Sequence, residues 1–177
     1  LALVKNAIAQ AVRVVEAVAG RCADRAQMVG GDVFDLVIVG AGPAGLTAAA
    51  AARERGLSHV VLEQESDLGG TVFHYPRRKL VLVQAIDVPL LGRLREAEYT
   101  KEDLLGHFQR LTDEAPLNVR FGERVLGVER SGQLFAVKSA SGVALGRHVL
   151  LALGRRGTPR KLGAPGEELP KVMYQLV

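Results

Sequence analysis

The chain has 177 residues, which suits one medium-sized domain with appendages, and 48% of them are hydrophobic, enough for a substantial core. Its net charge of +4 is mild and its basic residues are not interleaved with aromatic ones, so a nucleic-acid partner is not expected. The single cysteine, Cys22, excludes an intrachain disulfide and a Cys-x-x-Cys redox pair, which fits a reducing compartment such as the cytoplasm.

The N-terminal segment Leu1–Ala19 is predicted to form an amphipathic helix. Its apolar residues recur at spacings of three and four, which places them on one helix face. They are Val4, Ile8, Val12, Val15 and either Val18 or Ala19. Gly20 would end the helix, and residues 21–31 have the composition of a linker. The helix would pack on its own domain or, as the alternative, serve as a contact between copies in a homo-oligomer.

These features divide the chain into a helix and linker at 1–31 and a main domain at 32–177. No apolar run of about 18 residues is free of charge, so no transmembrane helix and no membrane association are predicted. Arg13 and Glu16 interrupt the first apolar stretch and argue against a signal peptide.

The stretch Asp35–Glu63 has the order of a dinucleotide-binding β-α-β unit, in which an apolar strand meets a glycine-rich turn and a helix. Gly40 permits the tight turn out of the strand. Gly42 lets the backbone approach a pyrophosphate, and Gly45 allows close packing of helix and sheet. A turn without a ligand is the alternative, but it does not explain three glycines at these positions.

A small-residue helix follows as far as about Arg55, and the second apolar strand, Val60–Leu62, ends on Glu63. The helix N-terminus would offer N–H groups and a partial positive charge to phosphates. Glu63 lies 23 residues after Gly40, near the roughly 20 expected for an acid that binds ribose hydroxyls. A carboxylate there disfavours a 2′-phosphate and so favours FAD or NAD over NADP at this site.

Beyond Glu63, the pair Gly69–Gly70 either lets the backbone approach a ligand again or only makes a turn. His74 has no evident partner in the sequence and is interpreted as structural. Residues 80–85 form a short strand or an extended segment. Lys101–Thr112 is predicted to be a helix with Thr100 as its N-cap.

The C-terminal third is predicted to contain short strands. Asn118–Phe121 would take the third parallel position of the sheet. An antiparallel meander would follow, built from Val125–Arg130, Leu134–Ser139 and His148–Leu153 with a hairpin between the first two. Gly154 follows the last of these strands. It either lets a nucleotide pack against the backbone there or simply ends the strand.

Together these segments resemble the FAD-binding half of the pyridine nucleotide-disulphide oxidoreductases, most closely the thioredoxin-reductase-like members. The matching stretches are Asp35–Ala49, Glu63, Gly69–Thr71 and Leu151–Glu167. Leu153 stands where the family commonly has threonine. The resemblance implies an α/β fold, a Rossmann-like FAD/NAD(P)-binding domain with a parallel sheet and an inserted antiparallel β-meander.

The resemblance also implies an FAD site. Its residues would be Gly40, Ala41, Gly42, Pro43, Ala44, Gly45, Glu63, Gln64, Gly70, Thr71, Val125 and Gly154. Gly70 and Thr71 would lie toward the pyrophosphate, ribitol and flavin, and Val125 would meet the adenine through its backbone. Gly154 would close over the cofactor. No catalytic side chain and no metal ligand are predicted.

In this family a second glycine-rich domain follows and binds NAD(P)H, and the chain stops where that domain would begin. We therefore expect the FAD-binding portion of an NAD(P)H-dependent flavoprotein oxidoreductase, inactive alone. The parent would pass hydride from NAD(P)H through FAD to an acceptor. The alternatives are the FAD domain of a flavin-dependent monooxygenase and a non-catalytic nucleotide-binding or interaction module.

Overall fold

The structure is a computed structural model that describes residues 4–22, 33–154, 163–169 and 171–172. Its helices are α1 (Val4–Cys22), α2 (Pro43–Glu54) and α3 (Lys101–Glu114). Its strands are β1 (Val33–Val39), β2 (His59–Leu62), β3 (Leu80–Leu82), β4 (Ile86–Val88), β5 (Gly92–Leu94), β6 (Glu98–Thr100), β7 (Val119–Arg120), β8 (Val125–Ser131), β9 (Leu134–Ser139) and β10 (Val143–Leu151). None of the helices in these ranges combines the length and apolar character needed to cross a bilayer.

Six strands form one mixed sheet in the order β7-β2-β1-β10-β9-β8. The first four strands are parallel, which confirms the predicted α/β class and the third parallel position of β7. Val39 of β1 is level with Leu62 of β2 and with Leu151 of β10. The carboxyl ends of three neighbouring strands therefore meet at one edge, the place where open α/β sheets bind ligands.

The predicted meander is present as β8, β9 and β10, but it is continuous with the main sheet. β10 pairs antiparallel with β9 over Val143–Gly146 and parallel with β1 over Leu145–Leu151. The prediction that this strand starts at His148 was wrong by five residues. Gly146 and Arg147 break the apolar pattern in sequence, but each is accommodated by a contact with β1 in the fold.

These two contacts are specific. The Arg147 guanidinium forms a half-buried ion pair with Asp35 of β1 at 2.9 Å. A Cβ at Gly146 would lie 2.6 Å from Cγ2 of Val37, so the absence of a side chain makes room for that valine. Neither contact is visible in the local sequence, because the partners lie more than one hundred positions away.

Helix α1 packs along α2. It therefore packs on its own domain, which was the first of the two predicted alternatives. Its buried residues are Ile8, Ala11, Val15 and Val18, so Ala11 takes the place predicted for Val12. Helix α2 lies between α1 and the sheet, and all five alanines from 48 to 52 are fully buried.

The predicted stop at Gly20 was wrong, since α1 continues to Cys22. A glycine inside a helix costs only about 1 kcal/mol and need not end it. Most of the predicted linker lies outside the described residues.

Helix α3 begins as predicted and ends two residues later than predicted. The Oγ1 of Thr100 accepts a hydrogen bond from the Asp103 N–H at 3.1 Å, which is the predicted N-cap. Leu104, Phe108 and Leu111 are buried against the core. The pairs β3–β6 and β4–β5 form two small antiparallel ribbons before α3, and of these only β3 was predicted. Three-residue strands are too short to show an alternating pattern.

The glycine turn brings the backbone of α2 into contact with the end of β1. A Cβ built at Gly45 would lie 1.8 Å from the carbonyl oxygen of Gly40, a distance that no side chain can tolerate. Gly45 therefore has the packing role that its position in the motif predicts, and it sets how close α2 can lie to the sheet.

We expect Gly45→Ala to lower the free energy of unfolding by about 3 kcal/mol, because the clash is with backbone and α2 must move as a whole. Gly106→Ala in α3 is the matched control, since a Cβ there meets nothing within 4 Å and should stabilise the helix by about 0.5–1 kcal/mol. Urea-induced unfolding measures both. Equal stability of the two variants would contradict this packing role.

Candidate functional site

A cavity of about 730 Å³ opens at the carboxyl edge of β1, β2 and β10. Its size is typical of small-molecule sites. Ten of the twelve predicted site residues line it: Gly40, Gly42, Pro43, Ala44, Glu63, Gln64, Gly70, Thr71, Val125 and Gly154. The other two, Ala41 and Gly45, are buried behind the turn, where they support the wall from inside.

The glycine turn forms one wall of this cavity. Gly40 has a φ of +106°, and a Cβ there would lie 2.6 Å from the carbonyl oxygen of Ala152, so the turn packs directly on the end of β10. Gly42 differs, since the nearest atom to a Cβ there is the Gly69 oxygen at 3.9 Å. The space beside Gly42 is therefore open to a ligand.

Gly42 is also the N-cap of α2, and no side chain caps this helix end. The first N–H groups of any helix lack intrahelical partners and carry a partial positive charge. Pro43 and Ala44, in the first turn, line the cavity. The arrangement suits an anion such as a pyrophosphate.

The second glycine pair docks on the first turn. The Gly69 N–H donates to the carbonyl oxygen of Ala41 at 2.8 Å, and a Cβ at Gly70 would lie 3.3 Å from Cα of Gly42. Both glycines have positive φ values, +104° and +52°. Of the two predicted alternatives, the pair does make a turn, and it also brings a second stretch of backbone to the cavity wall.

Thr71 and Gly154 lie next to each other in the cavity wall. A Cβ at Gly154, whose φ is +66°, would lie 3.6 Å from Oγ1 of Thr71. The end of β10 and the second glycine segment therefore converge. The predicted matching stretch continues through residues 155–162, which lie outside the described residues.

Glu63 joins β2 to the glycine turn. Its side chain is 5% exposed, its Oε2 accepts from the Ala41 N–H at 2.5 Å, and its Oε1 accepts from the Glu65 N–H at 3.0 Å. Each carboxylate oxygen retains a second lone pair. Glu63 can therefore hold the turn in place and still accept hydrogen bonds from a ligand in the cavity that it lines.

Glu123 is a lining residue that the sequence did not reveal. Its N–H donates to the carbonyl oxygen of Glu63 at 2.7 Å, and its Oε2 is shielded from solvent without a hydrogen-bond partner in the described part of the chain. Side-chain hydrogen bonding to Ser139, and more weakly to Ser141, holds the pKa of Glu123 below its ordinary value. Its position just after a parallel strand is the one signal that could have identified it.

Apolar groups form much of the rest of the wall. Tyr75 is half-buried in it, and Leu126, Leu151 and Leu153 are 70%, 58% and 61% exposed although they border the cavity. Flat aromatic ligand groups need such surface. His74 does not line the cavity; its ring lies edge-on to Phe73, 3.7 Å from a Glu65 oxygen.

Helix α1 also contributes to the cavity, through Val4, Ala7 and Gln10. The sequence pattern had placed Val4 on the apolar face of this helix but did not single out Ala7 or Gln10. In the described ranges, no three histidine, cysteine, aspartate or glutamate side chains come together as metal ligands would.

We expect Glu63→Gln to lower the free energy of unfolding by about 1–3 kcal/mol without any ligand, because the amide has only one accepting oxygen for the buried Ala41 N–H and the partly buried Glu65 N–H. Urea-induced unfolding at neutral pH measures this effect. Gln64→Glu, an exposed change at the next position, is the control and should leave stability within about 0.5 kcal/mol. Unchanged stability of Glu63→Gln would show that the carboxylate does not hold the turn.

The lowered pKa of Glu123 predicts a pH effect on stability. A carboxyl group whose pKa is depressed by folding stabilises the protein above its unfolded pKa, and this contribution is lost as the pH falls through the folded pKa. The stability of Glu123→Gln should therefore fall less steeply than that of the wild type below a pH of about 4.5. Ser139→Ala should likewise make the stability fall less steeply over the same pH range, because hydrogen bonding to Ser139 is the main cause of the lowered Glu123 pKa. Unfolding midpoints between about pH 3 and 6 measure it, and parallel curves would contradict the assignment.

The profile of the family described as pyridine nucleotide-disulphide oxidoreductase matches residues 37–177. The ferredoxin–NADP reductase of Streptococcus thermophilus is 30% identical over 138 residues, which are 77% of this chain and 39% of the reductase. That of Ignicoccus hospitalis is 32% identical over 141 residues, 79% of this chain and 43% of the reductase.

The fold is shared with solved structures, among them the following two. The bacillithiol disulfide reductase of Staphylococcus aureus matches with a TM-score of 0.67 and 23% identity, over 78% of this chain and 44% of its own. A flavin-containing monooxygenase from Stenotrophomonas maltophilia matches with a TM-score of 0.60 and 26% identity, over 70% of this chain and 39% of its own. The chain thus spans about two fifths of the length of these relatives.

Proposed function

The chain belongs to the pyridine nucleotide-disulphide oxidoreductase family, and from this membership we propose that it is the FAD-binding portion of an NAD(P)H-dependent flavoprotein oxidoreductase. One observation carries the proposal: the cavity at the carboxyl edge of the sheet is lined at once by the open glycine turn, the buried Glu63 and the second glycine pair. Each of these fits a different part of one dinucleotide.

The residues present fit the central part of FAD, which is its pyrophosphate and adenosine ribose. The space beside Gly42 and the uncapped N-terminus of α2 would receive the pyrophosphate. Glu63 would accept hydrogen bonds from the adenosine ribose hydroxyls, and its negative charge disfavours a 2′-phosphate. Gln64, which also lines the cavity, would border the same ribose.

The two ends of the cavity fit the two ring systems. Val125 would meet the adenine through its backbone, and Glu123, whose Oε2 has no hydrogen-bond partner among the described residues, lines the same cavity. At the other end, Thr71 and Gly154 would border the ribitol and flavin, and the Tyr75 ring offers a flat surface. The exposed leucines around the cavity would lose solvent contact when these rings bind.

Bound FAD supplies the redox chemistry, accepting hydride and passing electrons on. The protein's part is to bind and orient the cofactor and to exclude water from it. The turn and Glu63 fix the pyrophosphate and ribose, and the apolar side chains shield the ring ends. We assign no catalytic acid, base or nucleophile among these residues.

The parent enzyme is part of the proposal. We propose that an NAD(P)H-binding domain lies outside these 177 residues, supported by the relatives' greater length, with 1–31 as an N-terminal helix and linker and 32–177 as the FAD domain. A homo-oligomer contact through α1 would use its outer side, near the exposed Val14, because the inner side is buried on α2. The lone cysteine supports a cytoplasmic location.

A flavin-dependent monooxygenase is the second candidate, favoured by the 26% identity to the Stenotrophomonas enzyme over 70% of this chain. The 30–32% identity to ferredoxin–NADP reductases favours a reductase. The two candidates differ in the electron acceptor that reacts with the reduced flavin. Oxygen consumption coupled to product oxygenation by the parent protein would support the monooxygenase, and reduction of an electron-carrier protein would support the reductase.

We expect the purified chain to retain added FAD after gel filtration, with flavin absorption bands that co-elute, and Gly42→Ser to lose this retention. The serine side chain would occupy the space proposed for the pyrophosphate. The fold should not suffer, because a Cβ there meets no atom within 3.9 Å and serine is a favoured N-cap.

Gly106→Ser is the matched control, since that glycine lies exposed in α3 with nothing within 4 Å of a Cβ. It should retain FAD like the wild type. Unfolding curves without FAD verify that both variants are folded. Equal FAD retention by Gly42→Ser and wild type would place the pyrophosphate elsewhere, and a wild-type chain that binds no FAD would overturn the proposal.

A further inference from the structure

The cofactor cavity has a wall that the family match does not include. Val4, Ala7 and Gln10 of α1 line the cavity together with the glycine turn, whereas the family profile begins at residue 37. The helix is therefore placed at the site by this chain's own packing. Its contribution needs an explanation beyond that of the dinucleotide-binding motif.

Helix α1 presents two different sides. One side is the apolar stripe of Ile8, Ala11, Val15 and Val18 that is buried mainly against α2. Val4 lies in line with this stripe, whereas the cavity-lining positions 7 and 10 turn progressively away from it and form a second stripe. This second stripe consists of the small, apolar Ala7 and the polar Gln10.

Two polar contacts hold α1 in this position. Near its start, the Lys5 ammonium donates to Oε1 of Gln84 at 3.2 Å. Three turns later, the Arg55 guanidinium at the end of α2 pairs with Glu16 at 3.2 Å. Each exposed contact is weak by itself. With the buried stripe between them, they fix the rotation of the helix and so direct the second stripe to the cavity.

We propose that α1 is part of the cofactor site, with Ala7 and Gln10 in contact with the bound dinucleotide. The inference rests on the proposed function, since it names further residues of the same site. Ala7 leaves room for the ligand where a larger side chain would project into the cavity. The exposed amide of Gln10 can both donate to a phosphate and accept from a hydroxyl.

The first test compares the same substitution at two positions of α1. Ala7→Leu should raise the dissociation constant for FAD by at least about tenfold, because the added carbons occupy ligand space. Ala17→Leu is the control, because Ala17 is exposed and does not line the cavity, and it should bind FAD like the wild type. Quenching of flavin fluorescence measures both constants, and unfolding without FAD verifies the fold.

The second test does not depend on a change in affinity. In a Cys22→Ser background, Gln10→Cys should react with a maleimide more slowly, by about tenfold or more, when FAD is saturating, since the ligand would cover the thiol. Ala17→Cys in the same background should react at the same rate with and without FAD. This measurement remains informative if Ala7→Leu fails to fold.

The outcomes separate this inference from the proposed function. A wild-type chain that binds FAD, with no protection of Gln10→Cys, overturns the role of α1 and leaves the proposed function standing. A wild-type chain that binds no FAD overturns the proposed function and the inference with it. Protection at position 10 but not at position 17 supports the inference.

Discussion

The close approach of two backbones at the glycine turn is the constraint on which the site depends. With no side chain at Gly45, α2 lies directly on the carbonyl oxygen of Gly40, and with none at Gly40 the turn lies directly on the end of β10. These contacts fix where the N-terminus of α2 points. The open space at Gly42 follows from them, because the turn is tight enough to leave its outer side uncovered.

Glu63 extends this constraint from packing to electrostatics. Its carboxylate accepts the N–H of Ala41, so the end of β2 and the turn are held together without a ligand. A site arranged before binding loses less conformational entropy when its ligand arrives. The acid that we propose for ribose recognition thus also organises the loop beside it, and the proposed role would use the remaining lone pairs of the same two oxygens.

The sequence predicted what depends on local pattern. The glycine turn, Glu63, the Thr100 cap and the position of β7 are each encoded within a few residues or in the order of one β-α-β unit. The start of β10 and the contribution of Gln10 were missed because each depends on a partner distant in the chain. Glu123 was missed because a single acid after a short strand resembles any solvated residue. Chemistry spread over distant segments leaves no local pattern to find.

The pairing of β1 with β10 has a consequence for how the protein is made. The ion pair between Asp35 and Arg147 spans 112 positions, so one edge of β1 has no partner until β10 has left the ribosome. An uncovered strand of apolar residues, such as Leu36 to Val39, is prone to pair with other chains. Rapid closure by β10, or a chaperone that covers the edge until then, would protect the nascent protein from such pairing.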